Sequence, residues 1–368
     1  MAGGARIQRQ ENHGMGDVNE FVNNRTDMQK LLTIVVPVYK VEPYINKCLD
    51  SCLIYKTNEQ GEKVLDEELM NQLEVIIVND GTPDRSAEMS REYVKRYPQT
   101  FRQIDKENGG HGSAWNVGLK EATGKYLRFL DSDDWLTNLD TLMNVLQTTT
   151  ADVVMTDLNN YHEDTQKNDL WQISHCNISE LRSIEQFDFD DFYGKTNVMN
   201  FLFSTYKTEL LQPLHPLFIE GLMYDDSILY ALPFIYAKTY IYCDFVLYNY
   251  LSGRSGQSMN ATVKKKNISS LLKTYQYEME YISQQIDQLS DNRRKSIYRI
   301  MASDSSYLLH MLIYLSWYEF RRQIAANIQY FHLEQKEWRR GKMDIRFHKY
   351  PLLIFYVIEK VRQKLKTE

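Results

Sequence analysis

The sequence has few of the features that mark secreted, membrane-spanning or nucleic-acid-binding proteins. It contains four cysteines in 368 residues. It also lacks a run of about 18 apolar residues, which is the length that a membrane-spanning helix needs. Its formal charge is −6, from 43 Lys and Arg against 49 Asp and Glu. The chain as a whole is therefore not basic enough to favour nucleic acid. Cys48 and Cys52 lie one helical turn apart without metal-ligating neighbours, which predicts reduced thiols and a cytoplasmic protein.

Apolar strand-like runs alternate with helix-like segments over the first half of the chain. The strand-like runs are 32–39, 73–80, 101–105 and 126–130. Helices are expected at 43–55, where Pro43 suits the first turn, at 84–97, and after the glycine-rich loop 107–112. This alternation predicts an α/β fold with a mostly parallel sheet, whose ligands bind beyond the carboxyl ends of the strands.

Polar residues follow three of these strand-like runs. Tyr39 and Asp80 end the first two, and Asp131-Ser132-Asp133-Asp134 follows the last. Because parallel strands end at one edge of a sheet, we expect these residues to converge. Clustered carboxylates repel one another unless a cation offsets their charge, and their oxygens suit Mg²⁺ or Mn²⁺ shared with substrate phosphates. The alternative is an acidic turn that caps a following helix through Ser132 or Asp133.

Four motifs in this order resemble the family 2 glycosyltransferases. They are Pro37-Val38-Tyr39, Val78-Asn79-Asp80-Gly81, Asn108-Gly109-Gly110 with Ala114-Trp115-Asn116, and Asp131-Ser132-Asp133-Asp134. The resemblance covers about residues 31–258 and implies the GT-A fold, a Rossmann-like, mostly parallel sheet flanked by helices. It also implies transfer of a hexosyl or hexosaminyl group from a nucleotide-sugar, above all a UDP-sugar. The acceptor would be a hydroxyl of a glycan or lipid-linked molecule, and the setting bacterial surface-polysaccharide synthesis.

The resemblance assigns most of these motifs to the nucleotide-sugar donor. Pro37, Val38 and Tyr39 would line the base, and Asp80 would accept a hydrogen bond from the imide N–H of uracil. Without the resemblance, Asp80 would equally fit an ordinary Asp-Gly turn, and Pro37 and Tyr39 would fit packing at the end of a strand. The rest of the donor site would include residues from two later motifs, namely Asn108, Gly110 and Ser132. His111 has two interpretations: it contacts the donor sugar or phosphate, or it is an incidental residue of the loop. Glu42 has two interpretations: it reaches the ribose, or it is an acidic residue in the first turn of the next helix, where the helix dipole favours it.

Asp131 and Asp133 resemble the family's Asp-x-Asp pair, which implies a Mn²⁺ or Mg²⁺ cofactor. Asp133 would bind the cation, and Asp131 would contact the ribose and metal-bound water. Asp134 would either support this pair from behind or cap the following helix, and the cap is the favoured interpretation. The chain departs from the family at Trp115, where many members have an Arg that assists phosphate binding. That role must fall to another Lys or Arg, and Trp115 is expected in the core.

Tyr224-Asp225-Asp226 resembles the acidic pair that carries the family's general base. This implies that Asp226 takes the proton of the acceptor hydroxyl, while Asp225 supports or caps the helix. Arg254 and Ser255 resemble a loop in which an Arg and a Ser close over the diphosphate. Without the upstream motifs, these segments would be two acids at a helix start and a solvent-exposed loop.

The expected domains are a disordered, Asn-rich leader at 1–30 without a secretory signal, a GT-A domain at 31–260 and a helical region at 261–368. Helices in the last region are expected at 279–289, 303–317 and 350–366. The final helix joins apolar residues to a basic end. It fits either peripheral contact with the inner face of the cell membrane, near a lipid-linked acceptor, or packing on the body of the protein.

Two other classes of protein share part of this pattern. A nucleotidyltransferase also combines an α/β fold with metal-binding carboxylates. It should have a glycine-rich phosphate loop with Arg and Lys after the first strand, where this chain has Pro37-Val38-Tyr39-Lys40. A non-catalytic carbohydrate-binding relative would not need its acids intact, whereas this chain keeps all of them, at Asp80, Asp131, Asp133 and Asp226. Both differences favour a transferase.

Overall fold

The computed structural model describes residues 30–171, 185–188, 201–254, 263, 266–294, 297, 308 and 311–326. Within these ranges the strands are β1 Leu32–Val38, β2 Tyr55–Thr57, β3 Lys63–Leu65, β4 Leu73–Asp80, β5 Phe101–Lys106, β6 Tyr126–Phe129, β7 Trp135–Leu136, β8 Val153–His162, β9 Lys167–Trp171, β10 Glu185–Asp188, β11 Ser204–Lys207 and β12 Thr239–Ser252. The helices are α1 Ile45–Asp50, α2 Glu67–Gln72, α3 Ser86–Arg96, α4 His111–Glu121, α5 Leu139–Thr148, α6 Thr208–Leu211, α7 Ile228–Tyr236, α8 Ile268–Gln285 and α9 Trp317–Ala326.

Ten of these strands form one sheet, and β2 and β3 form a separate hairpin. The main order is β10-β12-β8-β11-β6-β1-β4-β5, with β7 beside β12 and β9 beside β8. Strands β6, β1, β4 and β5 run parallel, and β11 enters antiparallel to both β6 and β8. Because β1, β4 and β6 are parallel, the residues that follow them lie at one edge of the sheet. The expected convergence of Tyr39, Asp80 and Asp131 at that edge is confirmed.

Strands β1 and β4 lie at the centre of the core. Every residue in both strands is buried, as is typical of parallel strands without a solvent-facing side. Helix α4 packs against both strands. Its Gly118 permits this close approach, because a Cβ at that position would lie 2.1 Å from Cγ1 of Val35. The start of α4 is thereby fixed at the edge where the polar residues converge.

The first predicted helix is shorter than expected. Helix α1 covers only Ile45–Asp50, and Pro43 lies in the turn before it. Tyr55, predicted as the end of this helix, instead begins strand β2, which pairs with Lys63–Leu65 as a two-stranded hairpin. Tyr and Thr favour strands, so the local preference of this segment agrees with the hairpin.

The C-terminal helices also differ from the expected bounds. Helix α8 begins at Ile268 rather than at 279, because buried apolar residues at helical spacing continue back to that point. The prediction of one helix over 303–317 is wrong at its end, since a turn at 313–315 precedes α9. Residues 1–29 and the predicted helix at 350–366 lie outside the described residues. No helix within the described ranges is long and apolar enough to cross a bilayer.

Candidate active site

Asp80, at the end of β4, holds the glycine-rich loop through both carboxylate oxygens. Oδ1 accepts hydrogen bonds from Lys106 Nζ at 2.6 Å and from the Gly109 N–H at 2.9 Å. Oδ2 accepts from the Gly110 N–H at 2.8 Å and from Asn108 Nδ2 at 3.1 Å. In this conformation protein donors surround the carboxylate that the resemblance assigns to uracil. The base-binding role of Asp80 stays a prediction, and Lys106 is a neighbouring cation that the motifs did not indicate.

The chain that follows β1 forms one side of the site. Pro37 and Val38 are buried, whereas Tyr39 is 42% exposed at the edge. Glu42 is not in the first turn of α1, which contains no acidic residue. Its Oε2 accepts a hydrogen bond from the backbone N–H of Arg85 at 3.2 Å, next to the start of α3. The first-turn alternative for Glu42 is therefore wrong, and its contact with a ribose stays a prediction.

The turn after β6 carries three carboxylates with different partners. Asp131 Oδ1 lies 2.9 Å from His111 Nε2, and Asp133 forms an ion pair with the guanidinium of Arg254. The Asp131 and Asp133 side chains are 25% and 14% exposed, whereas Asp134 is buried. Burial and the nearby charge of Asp131 raise the pKa of Asp133. The turn therefore concentrates negative charge that favours cationic partners.

Asp134 does not cap a helix, contrary to the prediction. The next element is β7, and α5 begins only at Leu139. The Asp134 carboxylate accepts hydrogen bonds from the Tyr248 hydroxyl at 2.6 Å and from the Leu251 N–H at 2.7 Å. The same hydroxyl accepts the Asp131 N–H at 3.2 Å. Asp134 thus joins the acidic turn to β12, and the interpretation of the acidic run as a helix cap is wrong.

His111, the first residue of α4, connects the acidic turn to Asp225. Its Nε2 lies 2.9 Å from Asp131 Oδ1, and its Nδ1 lies 3.3 Å from Asp225 Oδ1. A ring whose two nitrogens both donate to ionised carboxylates is an imidazolium, which carries a positive charge. Burial opposes this charge, but the hydrogen bonds and charges of the two acids raise the pKa of His111 well above its usual value.

Asp225 and Asp226 lie in a 3₁₀ turn, Asp225–Ser227, just before α7. Asp225 is 1% exposed and faces His111, whereas Asp226 is half-buried. No side-chain hydrogen bond caps this turn, so Asp225 supports the site through His111 rather than as a cap. The general-base role of Asp226 stays a prediction. Ser255 lies outside the described residues, and so does its predicted contact with the diphosphate.

The acidic turn fits a divalent cation that is shared with a substrate. In the part of the chain that the structure describes, no three His, Cys, Asp or Glu side chains form a closed metal site. Asp131 and Asp133 supply accessible oxygens, and Mg²⁺ commonly takes one or two carboxylates together with substrate phosphates. Asp133 already accommodates a positive partner, Arg254. The residues present are therefore compatible with Mn²⁺ or Mg²⁺ completed by a diphosphate.

Trp115 occupies the core, as expected, at the position where many family members have Arg. Its side chain is fully buried. The ring centroid lies 4.6 Å from that of Phe129, 5.1 Å from that of Phe218 and 3.9 Å from that of His111. Trp115 therefore cannot contact a phosphate. It packs the start of α4 against the end of β6 and against the segment before Asp225.

Replacement of Trp115 by Ala is expected to lower the free energy of unfolding by about 3–5 kcal/mol, because a large buried side chain is lost and a cavity is left. Urea unfolding followed by circular dichroism measures the change. Trp171→Ala is the matched control, since Trp171 is 44% exposed on β9, and its loss should cost less than about 1 kcal/mol. Equal effects of the two substitutions would contradict the role of Trp115 in the core.

Comparison with known proteins gives the family of this domain. Residues 33–211 match the family model Glycosyl transferase family 2. The chain is 41% identical over 111 residues to EpsJ, an uncharacterized glycosyltransferase of Bacillus subtilis, which covers 30% of this chain and 28% of EpsJ. It is 28% identical over 192 residues to a teichoic acid poly(glycerol phosphate) polymerase of Staphylococcus epidermidis, covering 52% and 24% of the two chains. The chain thus spans less than a third of either relative.

A solved structure shares the fold. Residues 1–349 of TarS from S. aureus, crystallised in complex with UDP-GlcNAc, match with a TM-score of 0.50 at 16% identity, over 84% of this chain and 92% of that chain. At this identity the likeness concerns the fold alone, and the predicted GT-A arrangement is confirmed. The four motifs of the resemblance all lie within the stretch that the family model matches. Residues 33–211 therefore form a domain of the glycosyl transferase family 2 type.

Proposed function

We propose that this chain transfers a sugar from a UDP-sugar to a hydroxyl group, with inversion at the anomeric carbon, in the synthesis of a bacterial surface polymer. One observation carries the proposal: His111 brings the predicted metal-binding acid Asp131 and the predicted base segment at Asp225 to the same ring. The family and the teichoic acid relative support the class of reaction and the surface polymer. TarS, which was crystallised with UDP-GlcNAc, supports UDP as the nucleotide and leaves the choice of hexosyl or hexosaminyl group to experiment.

In the proposed reaction, Asp226 accepts the proton of the acceptor hydroxyl as the hydroxyl oxygen attacks C1 of the sugar. The bond from C1 to the diphosphate oxygen breaks, and its electron pair leaves with UDP, so the configuration at C1 inverts. Mn²⁺ or Mg²⁺ at Asp131 and Asp133 would offset the charge that grows on the diphosphate. Arg254, whose guanidinium contacts Asp133, is the cation that we assign to the diphosphate in place of the family's Arg.

We further propose a cytoplasmic protein that acts on a glycan or lipid-linked acceptor and contacts the membrane peripherally through residues 350–366. This part of the proposal rests on the apolar and basic pattern of the sequence, since these residues lie outside the described part of the chain. Flotation with vesicles that contain anionic lipid tests it. Binding that is lost when residues 350–368 are deleted would support it, and unchanged binding would contradict it.

Calorimetric titration with UDP, GDP and CMP, each with and without Mn²⁺, tests the donor site. We expect UDP to bind at least about tenfold more tightly with Mn²⁺ than without it, because a shared cation adds ligands from the diphosphate. GDP and CMP should bind more weakly than UDP. If a folded sample bound no nucleotide, the proposal would fail and a non-catalytic binding protein would be favoured. A panel of UDP-glucose, UDP-galactose and UDP-GlcNAc then identifies the sugar through UDP release.

A further inference from the structure

The start of α4 and the loop before it hold the segment that carries Asp225 and Asp226. The backbone N–H of Gly221 donates to the carbonyl oxygen of Gly109 at 2.8 Å. One turn further along, the Ser113 hydroxyl donates to Glu220 Oε1 at 3.0 Å. These bonds join residues more than a hundred positions apart. The glycine-rich motif therefore has a second surface, which faces away from Asp80 and toward the predicted base.

Asn116 adds three hydrogen bonds to the same segment. Its Nδ2 donates to the Phe218 carbonyl oxygen at 2.8 Å, and its Oδ1 accepts the N–H groups of Leu217 and Phe218, each at 3.0 Å. The side chain is 4% exposed. A buried amide with these partners fixes the backbone of the segment, because breaking any of the bonds would leave a polar group unsatisfied.

Gly112 lets Asp225 approach α4 closely. A Cβ at position 112 would lie 1.9 Å from Asp225 Oδ2 and 2.7 Å from Phe218 Cβ. Any side chain at this position would therefore push the Asp225 carboxylate away from the helix. The contact is specific to glycine for a steric reason, independently of backbone conformation.

His111 completes this contact from the donor side of the site. The ring lies between Asp131 Oδ1 and Asp225 Oδ1 at 2.9 and 3.3 Å, and it packs on Trp115 with centroids 3.9 Å apart. Two hydrogen bonds and a packed face leave the ring little freedom to rotate. The ring thus fixes the distance between Asp131, an acid of the predicted metal site, and Asp225, the neighbour of the predicted base.

We propose that His111 is a positioning residue that aligns Asp226 with the donor by joining Asp225 to Asp131. The proposal rests on the proposed function, and it differs from the direct donor contact that the sequence suggested for this residue. In this role His111 touches neither the sugar nor the diphosphate. It acts on the rate through the placement of Asp226, since displacement of a catalytic group by about 1 Å can cost about 10²-fold in rate.

His111→Ala is expected to lower kcat for UDP release from the preferred UDP-sugar by about 50-fold or more, because Asp226 is no longer aligned with the donor. The Kd of UDP with Mn²⁺, measured by calorimetry, should change by less than about threefold. Losses of equal size in UDP affinity and in kcat/KM would overturn the proposal, because they indicate a donor contact. An unchanged kcat would also overturn it.

Asp225→Asn keeps the proposal testable if His111→Ala does not fold. Because asparagine still offers an oxygen to His111 Nδ1, Asp225→Ala is made beside it. Asp225→Ala should show the same separation of kcat from UDP affinity, and its double variant with His111→Ala should be no more than about threefold slower than the slower single variant. If the loss of kcat in the double variant equalled the product of the two single losses, the proposal would be overturned, since the two residues would act independently.

His162→Ala is the matched control. His162 is the other described histidine that pairs with an aspartate, with Nε2 2.8 Å from Asp169 Oδ2, and it lies on β8. Its replacement should leave kcat and the UDP affinity within about twofold of wild type. If the wild-type protein binds no UDP, the proposed function fails on its own, whereas UDP binding with an unaffected His111→Ala variant rejects only the positioning role.

Discussion

Replacing Asp226 with Asn is expected to slow the release of UDP from a UDP-sugar by about 10³-fold, because asparagine cannot accept the proton of the attacking hydroxyl. UDP affinity with Mn²⁺ should stay within about twofold, since Asp226 is not assigned to the donor. Single-turnover measurements of UDP release, with calorimetry on the same preparations, separate these two quantities.

The difference in exposure favours Asp226 over Asp225 as the proposed base. Asp225 is 1% exposed, and its carboxylate is directed to His111, so it has no free face for an acceptor hydroxyl. Asp226 is half-buried, which allows contact with a substrate. A general base must lie within hydrogen-bond reach of the proton that it takes. A substrate hydroxyl could approach the half-buried Asp226, whereas Asp225 is shielded from it.

Asp244→Asn provides the matched control for Asp226→Asn, because Asp244 is an exposed acid on β12. It should leave the rate of UDP release within about twofold of wild type. The assignment would be refuted if Asp226→Asn kept most of the activity while Asp225→Asn lost it. That result would place the base on Asp225, and the proposed roles of Asp226 as base and Asp225 as its support would both be wrong.

The ends of the strands could be predicted from the sequence because their signals are local. An apolar run that stops at a polar residue marks a buried strand and its end, as at Asp80 and Asp131. Parallel pairing then places these ends together without further information. The prediction was less good for the first helix, which ends at Asp50, because Tyr55 pairs with Leu65 in a hairpin.

The partners of the site residues could not be predicted, because they come from distant parts of the chain. The contacts of His111 with Asp225 and of Tyr248 with Asp134 each span 114 positions. The second depends on the register of β12, in which Tyr248 lies opposite Leu136 of β7. A one-residue shift of that strand would turn the tyrosine to the other face. Local acidic patterns therefore suggested a helix cap for Asp134, whereas tertiary pairing makes it a buried acceptor.

The ion pair of Asp133 with Arg254 predicts opposite effects of Arg254→Ala on two affinities, one for Mn²⁺ alone and one for UDP in the presence of Mn²⁺. Arg254→Ala should strengthen the binding of Mn²⁺ alone by about fivefold, because the carboxylate loses a competing cation. It should weaken UDP binding in the presence of Mn²⁺ by about tenfold or more, because a charged hydrogen-bond donor to the diphosphate is lost. Asp133→Ala should abolish the Mn²⁺ dependence of UDP binding altogether, since the cation loses its main ligand.

Titration of free Mn²⁺ by electron paramagnetic resonance measures the first quantity, and calorimetry with UDP measures the others. Arg91→Ala is the matched control, because Arg91 forms an ion pair with Asp105 at 2.9 Å on the surface, and its loss should leave both affinities within about twofold. If Arg254→Ala weakened the binding of Mn²⁺ alone, the guanidinium would be organising the metal site rather than competing for it. That result would contradict the expectation that Arg254 competes with Mn²⁺ for the Asp133 carboxylate.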